Sequence, residues 1–368
     1  MTIVIEVRSR KDLNDFIRFP LALHARDPFY VPPLIRQMRH HFSRRNPFFD
    51  HARVTSFLAV RDGRICGRIV SILNARHIAF HNEKAGFFGF FECIDDDRVA
   101  GALLGTVADE LRREGMEVMR GPMNFSTNEE CGVLIEGFGR HPFFMTPYNP
   151  PYYGSLMERC GLQKAKDLYA YILDIPAELP RKINRVADYV AKSGVTVRTL
   201  DKKRYDHDMR IFQKVYNSAW AGNWGFIPLT DGELAYLSSN LKPIVVPDLT
   251  AIAENRGEPI GFLGMLPDFN RVLKEMRGKL NPLTMVKAFL LARRVKDLRL
   301  LLLGVSSEYR NRGVDALLFS EAFKGVKRGG YQRVEFSWIL EDNLPVQRLV
   351  HMIGGRLYKK YRIYERRL

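Results

Sequence analysis

The sequence predicts an α+β chain of two similar halves, each a mixed, mostly antiparallel sheet flanked by helices. Three observations carry this. At 368 residues the chain has room for about two domains of ordinary size. The order of strand-like and helix-like segments in the first half returns in the second. Finally, Arg98-Val99-Ala100-Gly101-Ala102-Leu103-Leu104 is echoed by Arg312-Gly313-Val314-Asp315-Ala316-Leu317-Leu318, each after an apolar strand and at the start of a helix. That echo is the mark of a tandem duplication.

In the first half, alternation predicts a strand over Ile3–Arg8, then a helix from Asp12, whose carboxylate can cap it. The Pro-rich turn DPFYVPP and a short basic helix near Leu34–Phe42 follow. Thr55–Val60 and Cys66–Leu73 flank Asp62-Gly63 and read as a hairpin. A strand at Gly86–Cys93, a helix over Arg98–Glu114, a strand at Glu117–Gly121, a helix near Tyr153–Arg159 and a strand near Leu168–Leu173 complete this half. In the second half, Val195–Leu200 is a strand, Asp208–Trp220 and Asp231–Leu241 are helices, and Val246–Glu254 with Pro259–Leu266 form a hairpin about Arg256-Gly257. Then come the strand Arg299–Val305, the helix Val314–Arg328, the strand Arg333–Trp338, a helix near Pro345–Met352 and a closing strand pair from Arg356. The expected domains are 1–180 and 195–368, joined by a linking helix over 181–194, with a basic insertion at about 267–298.

Apolar residues make up 46% and charged residues 27% of the chain, a composition that excludes collagen-like and disordered classes. No apolar run approaches the roughly 20 residues of a membrane span. The N-terminus opens on a strand pattern without a leader's basic and small-residue signals, so a cytoplasmic protein is expected. Cys66, Cys93, Cys131 and Cys160 form no CxxC pair and read as reduced thiols. His77 and His81 have helical spacing but enclose no HExxH glutamate, so no metal site is expected.

The 57 basic and 41 acidic residues leave a formal net charge of +16, and the excess is local. Arg271–Arg299 holds nine basic residues against Glu275 and Asp297, and Arg356–Leu368 holds six against Glu365. Such a field attracts a polyanion: nucleic acid, an anionic lipid surface or a phosphorylated ligand. The first segment also carries Leu280, Leu283, Met285, Val286, Phe289, Leu290 and Leu291 after Pro282. Apolar side chains among cations suit a helix in a membrane interface; a solvated hairpin is the alternative. Nucleic acid is disfavoured because no binding signature accompanies the charge. The expected partner is an anionic membrane surface, met through 271–299 and the C-terminal tail, which places the protein peripherally on the inner membrane.

The sharpest site signal runs from Leu303 to Ala316. There an apolar strand enters Val305-Ser306-Ser307-Glu308-Tyr309-Arg310-Asn311-Arg312-Gly313 and then a helix beginning at Val314. A helix N-terminus offers unpaired N–H groups and a positive dipole end to a pyrophosphate. Arg310 and Arg312 add charge, and Gly313 allows close approach. This loop resembles the R-x-x-G-x-G/A acyl-CoA-binding loop of the GNAT acyltransferase superfamily, with Asp315 standing in place of the last small residue. Asn343, followed by a helix and Gly354-Gly355, resembles the superfamily's second motif. The tyrosine that often serves there as general acid would fall at about Val350. In the first half the corresponding loop is Asp95-Asp96-Asp97-Arg98-Val99-Ala100-Gly101, and its three carboxylates repel a pyrophosphate. Only the C-terminal copy is therefore expected to bind CoA.

Gly121-Pro122-Met123-Asn124-Phe125-Ser126-Thr127-Asn128-Glu129-Glu130, Met145–Tyr153, Trp220–Pro228, Asn46-Pro47-Phe48-Phe49, Gly67-Arg68-Ile69 and Gly86–Phe91 together resemble a bacterial family of tandem-GNAT proteins that includes the bacterial ceramide synthases. The resemblance covers about residues 3–365. It implies transfer of a fatty acyl group from acyl-CoA to the amine of a long-chain sphingoid base. Amide formation needs a neutral amine, a polarised thioester carbonyl and a proton for the thiolate. The carbonyl donor is expected from the backbone near Leu303, Gly304 and Val305. Glu129 is the expected base, with Asn124 and Ser126 orienting and Tyr153 as an acid. Tyr152, Trp224 and Phe226 are expected at the substrate. Acyl or aminoacyl transfer to another amine, and a non-catalytic acyl-CoA or lipid sensor, are the competing readings.

Overall fold

The computed structural model describes all 368 residues. In chain order the elements are β1 (Thr2–Glu6), α1 (Arg10–Leu23), α2 (Ile35–His41), β2 (Ala52–Arg61), β3 (Arg64–Asn74), α3 (Ala75–His81), β4 (Ala85–Cys93), α4 (Asp97–Arg113), β5 (Val118–Gly121), β6 (Met123–Asn124), β7 (Glu130–Cys131), β8 (Val133–Glu136) and α5 (Tyr152–Arg159). They continue with β9 (Gln163–Asp174), α6 (Arg181–Lys192), β10 (Val195–Thr199), α7 (Tyr205–Ala219), α8 (Asp231–Leu241), β11 (Thr250–Asn255), β12 (Glu258–Pro267), α9 (Asn270–Met276), α10 (Pro282–Ala292), β13 (Asp297–Val305), α11 (Val314–Arg328), β14 (Arg333–Leu340), α12 (Leu344–Met352) and β15 (Arg356–Arg367). No helix is long and apolar enough to cross a membrane.

Two compact units result. Unit 1 comprises Met1–Tyr169, Phe269–Arg293 and Tyr358–Leu368; unit 2 comprises Ala170–Asp268 and Arg294–Leu357. These differ from the expected halves in two ways. The basic insertion and the last strand belong to unit 1. The expected linking helix, α6, is an integral part of unit 2: it buries Ile183, Ala187 and Val190, and a Cβ at Gly313, at the start of α11, would lie 2.4 Å from Val186.

In unit 1, β1, β2, β3 and β4 pair antiparallel in succession, β4 pairs parallel with β5, and β15 pairs antiparallel with both β5 and β8. In unit 2, β10, β11, β12 and β13 pair antiparallel, and β13 pairs parallel with β14. Both predicted hairpins turn where expected. Asp62 and Gly63 have φ of 50° and 70°, and Arg256 and Gly257 have 51° and 83°, the paired left-handed conformation of a type I′ turn. The first helix starts two residues earlier than predicted: Ser9 is the cap, and Asp12 answers it as the partner of a capping box.

Helix α4 lays Val99, Leu103, Val107 and Leu111 into the unit 1 core at helical spacing. Its counterpart α11 buries Val314, Leu318, Phe319 and Val326. The C-terminal residues are not a basic tail. Lys359 is 1% exposed and donates to the His141 carbonyl at 2.8 Å, Arg362 bonds Asp167 at 2.7 Å, and Lys360 bonds Glu136 at 2.8 Å. Placing these residues inside a sheet obliges each charge to find an internal partner, so the expectation that they face a polyanion is corrected.

Helix α11 approaches the 247–249 turn so closely that a Cβ at Gly325 would sit 1.8 Å from the Asp248 carbonyl oxygen. Gly325→Ala is therefore expected to lower stability by about 1–3 kcal/mol in urea unfolding. An unchanged midpoint would mean the turn yields freely.

Candidate active site

Each unit contains a parallel strand pair, β13–β14 in unit 2 and β4–β5 in unit 1, and each pair parts soon after it starts. In unit 2 the register runs from Asp297 opposite Arg333 to Leu300 opposite Phe336 and stops. Leu301 is then bulged out of the β12–β13 ladder, where the register shifts at Gly264/Met265. At the parting point Arg299 Nε donates to Ser337 Oγ at 2.8 Å, and Ser337 Oγ donates to the fully buried Glu335 at 2.6 Å. Beyond it, Leu301, Leu302 and Leu303 are only half-buried on a strand whose first four residues are buried. The expected carbonyl donors Leu303, Gly304 and Val305 lie on this parted stretch.

Gly304 serves a packing need. A Cβ there would meet the Trp220 ring at 2.3 Å, so the missing side chain lets Trp220 rest on the strand. Trp220 stacks on Tyr216 at 4.9 Å, and Phe226 packs against the same Tyr216. Phe226 is 4% exposed, a core residue rather than a ligand surface. Trp224 stays half-buried. Trp220, the first residue of the Trp220–Pro228 string, is the aromatic beside the parted strand.

The loop after β13 ends in Asn311 at φ 59° and Gly313 at φ 78°, a left-handed pair that turns the chain into α11. No side chain caps α11, so its first-turn N–H groups remain available. Arg312 lies over the Tyr309 ring at 5.4 Å, and Arg310 donates to the Ala219 carbonyl. Val314 is buried and anchors the helix start; Asp315 is half-buried in the first turn. Asn343 caps α12 through Val346 N–H at 3.4 Å, and Val350 is fully buried. No phenol stands at the position where the superfamily carries its acid.

Unit 1 repeats this geometry and fills it. The pairing of β4 with β5 stops at Phe87 opposite Arg120, and a register shift in β3–β4 marks a bulge where Phe90 has φ 47°. The chain's own 123–124 segment occupies the opening. A Cβ at Gly89 would lie 1.7 Å from the Met123 carbonyl oxygen, and Asn124 Oδ1 accepts from the Phe90 N–H at 2.7 Å. At the start of α4, Asp96 accepts from Arg98 and Val99 N–H at 2.9 and 3.1 Å. Arg61 holds that carboxyl down at about 2.

Of the expected catalytic residues, Asn124, Ser126 and Glu129 share one loop. Ser126 builds the turn, accepting from Asn128 N–H at 3.2 Å and Glu129 N–H at 3.1 Å. Tyr153 is 2% exposed, accepts from Cys93 N–H at 2.9 Å and donates to Glu92 at 2.7 Å. Burial beside Glu92 raises its phenol well above the ordinary range. Tyr152 donates to the Cys93 carbonyl at 2.7 Å. Both tyrosines are therefore structural anchors, which corrects their expected roles at the chemistry and the substrate. Glu129 Oε2 accepts from Phe125 N–H at 2.9 Å and lies 3.3 Å from His41 Nε2. His41 was not anticipated, because no sequence pattern links positions so far apart. Burial opposes its charge, but Glu129 and Glu130 outweigh burial and raise its pKa.

No protein-family model matches the chain. Over 98% of its length it is 34% identical to the protein YghO of Escherichia coli (strain K12), across 94% of that protein. Over 99% it is 35% identical to a Caulobacter vibrioides (strain NA1000 / CB15N) protein named bacterial ceramide synthase, across 97% of that protein. Among solved structures, a tandem GNAT protein from the clavulanic acid biosynthesis pathway matches the whole chain and 98% of its own length at 12% identity, with a TM-score of 0.58. A GCN5-related N-acetyltransferase from Sphaerobacter thermophilus matches the whole chain and 95% of its own length at 14% identity, with a TM-score of 0.55. The fold is two GNAT domains in tandem.

Removing the Asn124 amide leaves the Phe90 N–H without an acceptor. Asn124→Ala should cost about 1–3 kcal/mol by chemical denaturation, and full retention of stability would mean that solvent reaches this N–H.

Proposed function

The chain belongs to the tandem-GNAT family that includes the bacterial ceramide synthases, and from that premise we propose that it is an N-acyltransferase moving a fatty acyl group from acyl-CoA to the amine of a long-chain sphingoid base. The observation that carries this reading is the contrast between the two helix starts. The start of α4 is closed by Asp96, whereas α11 begins at Gly313 with no side-chain cap, beside half-buried leucines. The first-turn N–H groups of α11, with Arg312 beside them, suit a pyrophosphate. Leu301–Leu303 and Trp220 suit an acyl chain.

Within this reading the thioester carbonyl meets backbone N–H on the parted stretch Leu303–Val305, and Val314 and Gly313 bring the phosphates against the helix. The lone pair of the neutral amine attacks the carbonyl carbon, the C–S bond breaks, and the proton lost from the nitrogen ends on the departing thiolate, giving amide and free CoA thiol. Arg310, tied to Ala219, shapes the loop, and Asn343 holds the α12 start. Asp315 opposes the phosphate charge at the same helix end and limits affinity.

The test is to incubate the protein with palmitoyl-CoA and a sphingoid base and follow free thiol together with amide. Both are expected to rise in step. CoA binding without turnover on any long-chain amine would favour a lipid sensor and overturn the enzyme reading. Arg312→Ala should weaken CoA binding about tenfold or more, the loss of a charge-assisted contact of roughly 1.5–3 kcal/mol, while Asp315→Asn should tighten it. Unchanged affinity in both variants would put the pyrophosphate elsewhere.

A lipid acceptor also calls for a membrane surface, and we assign that contact to α10, at the cytoplasmic face of the inner membrane. None of its side chains is buried: Leu283 is 83% exposed, Val286 63% and Phe289 61%. Lys279, Lys287, Arg293 and Arg294 surround them. The chain should float with anionic vesicles at low salt, and Leu283→Asp with Phe289→Asp should abolish flotation. Equal flotation of the double variant would remove α10 from the contact.

A further inference from the structure

Two glycines shape one face of the unit 2 sheet beside the parted strand. Residues opposite one another in a ladder share a face, and successive residues along a strand alternate between faces. Gly304 stands opposite Phe262, and Gly264 stands opposite Leu302. A Cβ at Gly304 would meet Trp220 and Ala219, and Phe262 packs on Phe212 of α7 at 5.3 Å. Gly264, Leu302, Phe262 and Gly304 therefore lie on the face that α7 covers. Leu303 and Val305 lie on the other. Gly261 stands opposite Val305, and a Cβ there would be 3.0 Å from Leu318 and 3.3 Å from Val314 of α11.

The α7 cover stops one row short of the fork. The helix ends at Ala219, and Trp220, stacked on Tyr216, closes the row of Phe262 and Gly304. The next row, Gly264 with Leu302, is half-buried, although Leu263 and Met265 on either side of Gly264 are buried. Chain neighbours aside, a Cβ at Gly264 would meet only the Phe262 ring within 4 Å, at 3.1 Å. Past this row the face closes again. Leu266 and Arg299 stand opposite each other and are both buried, and Arg299 lies over the Trp338 ring at 4.9 Å. On β11 the residue opposite Gly264 is Thr250, which is also buried. What remains is a slot one row wide that runs across the strands, from Leu302 over Gly264 toward Thr250, with Trp220 along one side and Arg299 along the other.

We propose that this slot takes the acyl chain of the thioester and that Gly264 sets the chain length it accepts. The proposal rests on the acyl-CoA reading above and deepens it. Continuity identifies the occupant. The strand that lends Leu302 to the floor of the slot carries the expected carbonyl donors in its next three residues, Leu303–Val305, and its loop leads to the uncapped start of α11. A thioester held at those donors, with its phosphates at α11, brings its acyl carbons to Leu302. On the opposite face the chain would have to displace α11, whose Val314 and Leu318 are buried. Leu302 gives the slot an apolar floor, and Gly264 gives it depth, because any side chain there stands in the path of the acyl chain. Trp220 is a positioning residue: it walls the slot, and Arg310 of the α11 loop donates to the carbonyl of its neighbour Ala219, which fastens that wall to the phosphate end of the site.

Binding is measured by calorimetry on the full chain with CoA, acetyl-CoA and decanoyl-CoA, with no amine present. In the unaltered chain decanoyl-CoA should bind about tenfold or more tightly than acetyl-CoA, the gain expected when several methylenes leave water. Gly264→Val should remove most of that gain and leave acetyl-CoA affinity where it was; a β-branched residue suits a strand, and its Cβ asks only a small shift of the Phe262 ring. Leu302→Asp, which charges the floor without filling the slot, should do the same. Equal binding of decanoyl-CoA and acetyl-CoA by the unaltered chain would overturn the proposal, as would a full gain kept in either variant. The expected losses without amide formed from any amine would leave the slot standing and defeat the acyl-transfer reading. No binding of CoA in any of the three forms would defeat the acyl-CoA reading and the slot with it.

Discussion

A parallel strand pair that parts after three or four residues is the constraint from which the rest of this structure follows. Parting strands leave main-chain N–H and C=O groups facing a gap, and buried groups of that kind must be paired. The two units answer the demand differently. Unit 1 pairs them from within: Asn124 caps the Phe90 N–H, and the Met123 carbonyl presses so close that residue 89 has to be glycine. Unit 2 has no such segment. Its strand carries Leu301–Leu303 half-buried beyond the fork, and the Arg299–Ser337–Glu335 chain of hydrogen bonds secures only the base.

The same divergence governs the helices that follow the forks. Asp96 satisfies the first turn of α4 from inside the protein and is itself neutralised by Arg61. Gly313 satisfies nothing, because it has no side chain, but its left-handed φ delivers α11 with its amide end free. A duplicated domain can spend one copy in this way. In the reading proposed above, the second fork and helix start serve the acyl thioester, and the first is free to bury its gap with the 123–124 segment.

Local features of this design are legible in the sequence and distant ones are not. The turns Asp62-Gly63 and Arg256-Gly257, the three carboxylates before α4, and the glycine before α11 act on neighbours in the chain, so their residue types declare them. The last strand misleads, because Lys359, Lys360 and Arg362 read as a cationic surface until His141, Glu136 and Asp167 come round to meet them. Tyr152 and Tyr153 mislead for a related reason: a phenol at a cleft and a phenol anchoring Cys93 and Glu92 look alike in sequence. His41 carries no local mark at all, since its meaning comes entirely from Glu129.

Helix α10 is the element for which the chain's own interior gives no account. An isolated helix of its length is marginal in water, and most helices in folded proteins are held by burying one face. Here α9 is docked, with Asn270 donating to the Pro142 carbonyl at 2.8 Å and Gly278 O accepting from Ile35 N–H at 3.1 Å, whereas α10 has no fully buried residue: Thr284, Ala288, Leu291 and Ala292 are half-buried on one face, Lys287 pairs with Glu275 at 2.6 Å, and an Asn281–Thr284 capping box closes its start. Five large apolar side chains stand in water along it, each more than half exposed. Such a face works against solubility unless another phase receives it. Leu283, Met285, Val286, Phe289 and Leu290 fall at helical spacing on one side of α10, opposite the half-buried face, with Lys279 before the helix and Arg293 and Arg294 after it. An anionic bilayer, the contact proposed above for this helix, suits such a one-sided face: the acyl boundary would accept its leucines and phenylalanine, and the headgroup layer Lys279, Arg293 and Arg294.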